Sequence, residues 1–198
     1  METELLTAIA TIVSSVATLV GVWAKKKWSE RHKNTVEGHV RAGSNVNTAL
    51  KYTKQMMFSG RAYVLEFHNG GHFFSGRGQQ KFSCTHETVE AGISSECIHS
   101  QDHRVSNYSE YITELVSVGS FSCLDINEIR DSGFRSLLNS KGVQAIYNVP
   151  ITTLNGKVIG ILGVDYISKI EAFPGDVEGM TTEEFMQNQA KLIAGYLI

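Results

Sequence analysis

The chain has 198 residues, of which 42% are hydrophobic and 19% charged, with a formal net charge of −2. This is the balance of a globular protein, not of a disordered or collagen-like one. It also gives no electrostatic case for a nucleic-acid partner.

Residues 5–24 contain no charged residue and no proline. Twenty residues of helix span about 30 Å, the thickness of a bilayer's hydrocarbon core. The hydroxyls of Thr7, Thr11, Ser14, Ser15 and Thr18 can return to backbone carbonyls inside such a helix. The start, Met1-Glu2-Thr3-Glu4, is acidic and the basic run Lys25-Lys26-Lys27 follows, flanked by Trp23 and Trp28. A cleaved signal peptide has the opposite order. The expectation is a single-pass transmembrane anchor over residues 1–28, with the N-terminus outside and everything after the lysines cytoplasmic. Lys25, Lys26 and Lys27, with Arg31, His32 and Lys33, form a juxtamembrane basic patch suited to anionic lipid headgroups. A buried helix of a soluble protein is the plain alternative.

Residues 29–58 read as a juxtamembrane linker helix. Its apolar stripe is thin, at Val36, Val40, Val46, Leu50 and Met57, and Gly38 and Gly43 interrupt it. Such a face packs on the following domain or on a second copy, giving a homodimer. His39 and Thr53 would fall on core positions of a strict heptad seam, so a coiled coil is not indicated.

About 140 residues remain, from 59 to 198, enough for one domain with a sizeable core. Residues 61–67 predict a strand, His68-Asn69-Gly70-Gly71-His72 a turn, 70–80 a glycine-rich loop and 81–89 a second strand. Strict alternation there puts Phe82, Cys84 and His86 on one face and Ser83, Thr85 and Glu87 on the other. A mixed stretch follows to about 118, then a short strand over 121–126. A helix over 127–140 takes Asp125 or Asn127 as its cap. Residues 143–152 and 157–167 flank Asn155-Gly156, the strongest local hairpin signal, because both residues tolerate positive φ. Pro150 removes one ladder donor and predicts an edge or irregularity. Gly160 and Gly163 leave room for a close neighbour. The last helix, from Thr181 or Thr182, carries Glu183 and Glu184 in its first turn and turns Phe185, Ala190, Ile193 and Leu197 inward.

The run Gly142-Val143-Gln144-Ala145-Ile146-Tyr147-Asn148-Val149-Pro150-Ile151, the Asn-Gly turn, and Lys157-Val158-Ile159-Gly160-Ile161-Leu162-Gly163-Val164-Asp165-Tyr166 resemble the C-terminal half of a GAF domain. The resemblance implies an α+β fold over 59–198, an antiparallel sheet flanked by helices. It implies a sensory or interaction module that binds a small molecule or only self-associates. The Asn-Lys-Phe-Asp-Glu pattern of cyclic-nucleotide-binding members is absent, and the cysteines lack a bilin-attachment context, so no ligand class and no cofactor carries over. The Phe67-His68-Asn69-Gly70-Gly71 segment resembles membrane-anchored phage-type proteins, which implies nothing about activity.

Three cysteines, Cys84, Cys97 and Cys123, are an odd number without framework spacing and read as reduced thiols. With His68, His72, His86, His99 and His103 they form the candidate metal ligands, but no pair has the Cys-x₂-Cys spacing that would make the assignment strong. Glu66, His86 and Glu87 are an acid–base candidate for a hydrolase. Gly70, Gly71, Gly76 and Gly78 with Arg77 and Lys81 could hold an anion, without the Gly-Lys-Ser/Thr ending of a P-loop. Taken together, Glu66, His68, Asn69, Gly70, Gly71, His86 and Glu87 are the expected ligand-binding residues, with Tyr147, Gly160 and Asp165 as the place to look if these prove structural. No catalytic residue is assigned. A phage membrane factor, holin-like or accessory to lysis or exclusion, is the competing function. Leakage caused by residues 1–33 alone would distinguish it from a sensory module.

Overall fold

The computed structural model describes residues 2–33 and 35–198, with side chains for 11–27 and 35–198. The chain divides into two compact units, Met1–Ala42 and Gly43–Ile198.

In the first unit, helix α1 (Glu2–Lys33) carries Ile12, Val13, Val16, Leu19, Val20, Val22 and Trp23 on its exposed surface. Two of the expected hydroxyls turn to the helix backbone: Ser15 donates to the Thr11 carbonyl at 2.8 Å and Thr18 to that of Ser14 at 2.9 Å. The Lys27 ammonium lies 4.7 Å from the Trp23 ring, a cation–π contact. Trp28 and residues 5–10 of the expected span have side chains outside the described set. Among the described residues, no helix is long and apolar enough to cross a membrane. Helix α2 (Val36–Met56) begins in this unit, and its residues from Gly43 onward belong to the second.

The second unit is a six-stranded, wholly antiparallel sheet with helices on both faces. Its strands are β1 (Arg61–His72), β2 (Gly78–Val89), β3 (His103–Arg104), β4 (Phe121–Cys123), β5 (Ala145–Thr152) and β6 (Val158–Tyr166). The spatial order is β3-β2-β1-β6-β5-β4. The other helices are α3 (Ser109–Val118), α4 (Ser132–Ser140) and α5 (Thr182–Leu197). Alternate residues of the central strands feed two cores. Ala62, Val64, Tyr147, Val149, Leu162 and Val164 pack with Val46, Leu50, Phe185, Ala190 and Ile193 of α2 and α5. Ile146 and Ile161 pack with Tyr111, Leu115, Phe134 and Leu138 of α3 and α4.

The β5–β6 hairpin forms where Asn-Gly predicts it, with Gly156 at φ 81°. Pro150 lies in β5 at a local edge of the sheet: β4 begins at Phe121 opposite Asn148, so no strand lies beside Pro150 on that side, and the β5–β6 register shifts just beyond it, between Ile151 and Thr152. Gly160 is required by a neighbouring backbone, since a Cβ there would stand 2.4 Å from the Leu65 carbonyl oxygen. Helix α5 has the full capping box between Thr181 and Glu184.

Three local expectations are corrected. Strand β1 continues to His72, and the turn lies at 73–77, closed by Phe73 N–H to the Arg77 carbonyl at 2.8 Å. Gly70 and Gly71 therefore sit within β1, at the irregularity between the Asn69–Gln80 and His72–Gly78 pairs, where Gly70 leaves space for the Lys81 stem. Helix α4 starts at Ser132, because Asp131 caps it; Asp125 caps only a short 3-10 turn, Ile126–Glu128. The second Asp131 oxygen accepts from the Glu110 and Tyr111 amides at 3.1 and 3.2 Å. One carboxylate thus satisfies orphan donors of two helices.

Candidate functional site

The expected site residues do not converge. Val64 pairs with His86, but Leu65 pairs with Cys84, so Thr85 is an extra residue on β2. This β-bulge reverses the alternation beyond it. Glu87 therefore joins Phe82 and Cys84 on the α4 side of the sheet, and His86 turns to the α2 side. There, a Cβ on Gly43 would approach its Nε2 to 3.3 Å. Strand β1 is regular against β6 from Arg61 to Glu66 and against β2 from Leu65 to Asn69, so Glu66 and His68 share the face of Val64, opposite Glu87. His68 Nε2 is 2.8 Å from Ser83 Oγ, and Asn69 Oδ1 accepts from Gln80 at 3.0 Å. These are cross-strand contacts of a hairpin. The acid–base set of Glu66, His86 and Glu87 is split between two faces. Among the described residues, no three His, Cys, Asp or Glu side chains converge as a metal site requires.

Glu87 instead borders a cavity of about 30 Å³, room for about two water molecules. Its lining includes Tyr63, Leu65, Phe82 and Cys84 from β1 and β2, and Leu138 and Lys141 from α4 and its C-terminus. Asn148 and Asp165 come from β5 and β6, and Glu96 and Ser100 from the segment between β2 and β3. Glu87 holds that segment in place, accepting from Ser95 Oγ and from the Glu96 and Cys97 amides at 2.9 and 3.1 Å.

A buried polar network backs the cavity, joining its lining residues Tyr63, Asn148 and Asp165 to Arg61 and Tyr111. Arg61, 1% exposed, donates to the Ser94 carbonyl at 3.2 Å and the Lys141 carbonyl at 2.9 Å. Its Nε lies 3.4 Å from Asp165 Oδ2, and its Nη1 3.7 Å from Glu96. No well-aligned hydrogen bond reaches that Nε. The Tyr63 hydroxyl is 3.1 Å from both Asn148 Oδ1 and Asp165 Oδ1, and Asn148 Nδ2 donates to Tyr111 at 2.6 Å. One hydroxyl has one proton for two acceptors. It can therefore donate to Asp165 or to Asn148, but not to both at once. Burial pushes the Asp165 carboxyl up to about 6, even though Arg61 and Lys141 pull it down. Burial also lowers the Lys141 ammonium, which donates to Ser100 Oγ at 2.6 Å.

Gly163 makes this arrangement fit: a Cβ there would lie 2.3 Å from Asn148 Oδ1 and 2.4 Å from the Tyr63 ring. Asp165, reserved in the sequence as a second place to look, is in the cavity, whereas Tyr147 packs in the opposite core. Arg61, Tyr63, Asn148 and Lys141 were missed. Their signal was present: a lone Arg at the start of an apolar strand, and Asn and Asp inside the apolar hairpin, must find partners once buried.

No protein-family model and no curated protein matches the chain. Solved structures do. The GAF domain of PixJ from Thermosynechococcus elongatus, in its blue-light-absorbing form, superposes with a TM-score of 0.60 at 15% identity. The match covers 83% of this chain and 88% of that one. A far-red cyanobacteriochrome photoreceptor gives 0.58 at 14% identity, over 87% and 96%. The fold is GAF-like. A far-red-absorbing protein with bound biliverdin is similar too, with a TM-score of 0.55 at 12% identity over 76% and 86%. At these identities the likeness is one of fold.

Proposed function

We propose that the chain is a membrane-tethered sensory or interaction module whose GAF-like domain binds a small polar molecule beside Arg61 and Asp165. The observation that carries this reading is the cavity, whose lining gathers the Lys141 ammonium, the carboxyls of Glu87, Glu96 and Asp165, the hydroxyls of Tyr63 and Ser100 and the Asn148 amide among apolar groups, with buried Arg61 behind Asp165. Ligand sites have this character: mostly apolar, with a few convergent polar groups. The biliverdin-bound neighbour supports the use of the fold for a small molecule. Drug-sized ligands occupy about 300–1,000 Å³, so a cavity of about 30 Å³ does not suit a bilin. It suits a compact polar ligand that enters when residues 90–102 move aside.

Anchoring through residues 1–28, self-association through 29–58, and a cytoplasmic placement of 59–198 complete the proposal. The apolar exposed surface of α1 between Ile12 and Trp23 supports the anchor. Carbonate-resistant sedimentation with membranes, lost on deletion of residues 1–28, is the expected result; full-length protein in the soluble fraction overturns it. The ligand reading is tested by thermal shift against a panel of amino acids, small carboxylates and amines. A hit should be lost in Cys84→Met, whose longer side chain fills the cavity. A shift retained in that variant places binding elsewhere. The same exposed apolar helix favours one second reading, a holin-like membrane factor. Dye leakage caused by residues 1–33 alone would select it.

A further inference from the structure

Phe74 and Leu154 are the most exposed large apolar residues described, at 111% and 109%. Both occupy hairpin tips. Phe74 lies in the β1–β2 turn, closed by Phe73 N–H to the Arg77 carbonyl and Gly76 N–H to the Phe73 carbonyl, both 2.8 Å. Leu154 lies in the β5–β6 turn, closed between Thr153 and Lys157 at 2.9 Å. Strands β1 and β6 are antiparallel, with Glu66 opposite Gly160. Because β1 runs on to His72 and β6 begins at Val158, both turns project from the same end of the sheet.

The two hairpin ends carry basic residues only, and the neighbouring Asp102 pairs with one of them. Residues 67–81 and 151–164 contain no Asp or Glu. They contribute Arg77 and Lys157, both exposed, and Lys81, which pairs with Asp102 at 2.9 Å. The Arg77 guanidinium lies 5.3 Å from the Phe73 ring, beside Phe74. The whole chain is net negative, so this basic end is local. Apolar side chains standing fully in water cost free energy, and two of them with adjacent cations, and no acidic residue in either hairpin end, match the boundary of an anionic leaflet, where acyl chains take the apolar groups and headgroups the charges.

We propose that the β1–β2 and β5–β6 tips dock on an anionic lipid surface, with Phe74 and Leu154 inserted and Arg77 and Lys157 against the headgroups. This contact stands whether or not the N-terminal helix crosses the bilayer, and it is independent of the cavity.

The test uses the full chain with vesicles of phosphatidylcholine, alone or mixed with phosphatidylglycerol, brominated in the acyl chains. Phe74→Trp and Leu154→Trp each add a reporter at a tip, read as the difference from wild type. The expected result is added emission that is blue-shifted and bromine-quenched in the anionic vesicles but solvent-like in the neutral ones. Each basic residue near such a surface changes partitioning about five-fold, so Arg77→Ala with Lys157→Ala should weaken the quenching titration about 25-fold. Unquenched emission in anionic vesicles overturns the proposal, and equal quenching in neutral vesicles overturns the anionic assignment. A concentration-dependent blue shift without lipid would show a second copy covering the tips, which also overturns it.

Discussion

Replacing Arg61 by Met tests the buried network most severely. Met matches much of the stem's bulk but removes the charge and both bonds to the Ser94 and Lys141 carbonyls. It also leaves Asp165, 3% exposed, as a buried carboxylate without its guanidinium. Breaking one partner of a buried pair costs about 3–5 kcal/mol. For a domain of this size that is a fall in Tm of about 8–16 °C. The cost should depend on pH. In the wild type, Asp165 is raised to about 6 when folded, above its usual value of about 3.9. A raised folded pKa gives a contribution fully present below the unfolded value and lost as pH rises through the folded one. The wild-type domain should therefore lose that contribution between about pH 4 and 6 and then level off. Without Arg61 the carboxyl rises further, so the loss continues to higher pH. Urea denaturation followed by circular dichroism should show the gap between wild type and Arg61→Met widening from pH 5 to pH 8. Adding Asp165→Asn should recover most of it, because the buried charge is gone. A cost below about 1 kcal/mol, far under the range for a broken buried pair, or a gap independent of pH, would refute the network as described.

Gly163→Ala should destabilise by about 1–3 kcal/mol, the usual cost of overpacking, since its Cβ would collide with Asn148 and Tyr63. Gly156→Ala, which meets nothing within 4 Å but strains a positive φ, should cost about 1 kcal/mol; paired denaturation curves check the order. Burial raises the Cys84 thiol, so iodoacetamide should label it far more slowly in the native than in the unfolded chain, read by peptide mass spectrometry. Equal rates would mean the cavity is open. His68→Ala and Asn69→Ala should leave any cavity ligand's thermal shift unchanged, because both residues lie away from the cavity, His68 on the opposite face and Asn69 on the distal part of the hairpin; a lost shift would return the site to that hairpin.

The C-terminal half of the domain was legible because its signals are local. Asn155-Gly156 sets a turn by φ alone, and Thr181 with Glu184 sets a cap through four adjacent residues. The cavity was not legible, because it is assembled by pairing between distant segments. Arg61 meets Asp165 only when β1 lies beside β6, and Asn148 reaches Tyr63 only across the Cβ-free Gly163. The decisive error was one residue long. Strict alternation sends His86 and Glu87 to the wrong faces, and a single bulge at Thr85, visible only from the partner strand's register, reverses both. The Asp131 cap was hidden for a related reason: Asp125, Asn127 and Asp131 all precede the helix, and only α3 packing beside α4 selects the last.

Native mass spectrometry of the purified full chain, beside its Cys84→Met variant, tests the cavity reading most directly. The account predicts that the wild type carries a small molecule released on denaturation, and that the equally folded variant carries none. The same bound mass in both proteins would contradict it, because the ligand would then occupy a site other than the one beside Arg61 and Asp165.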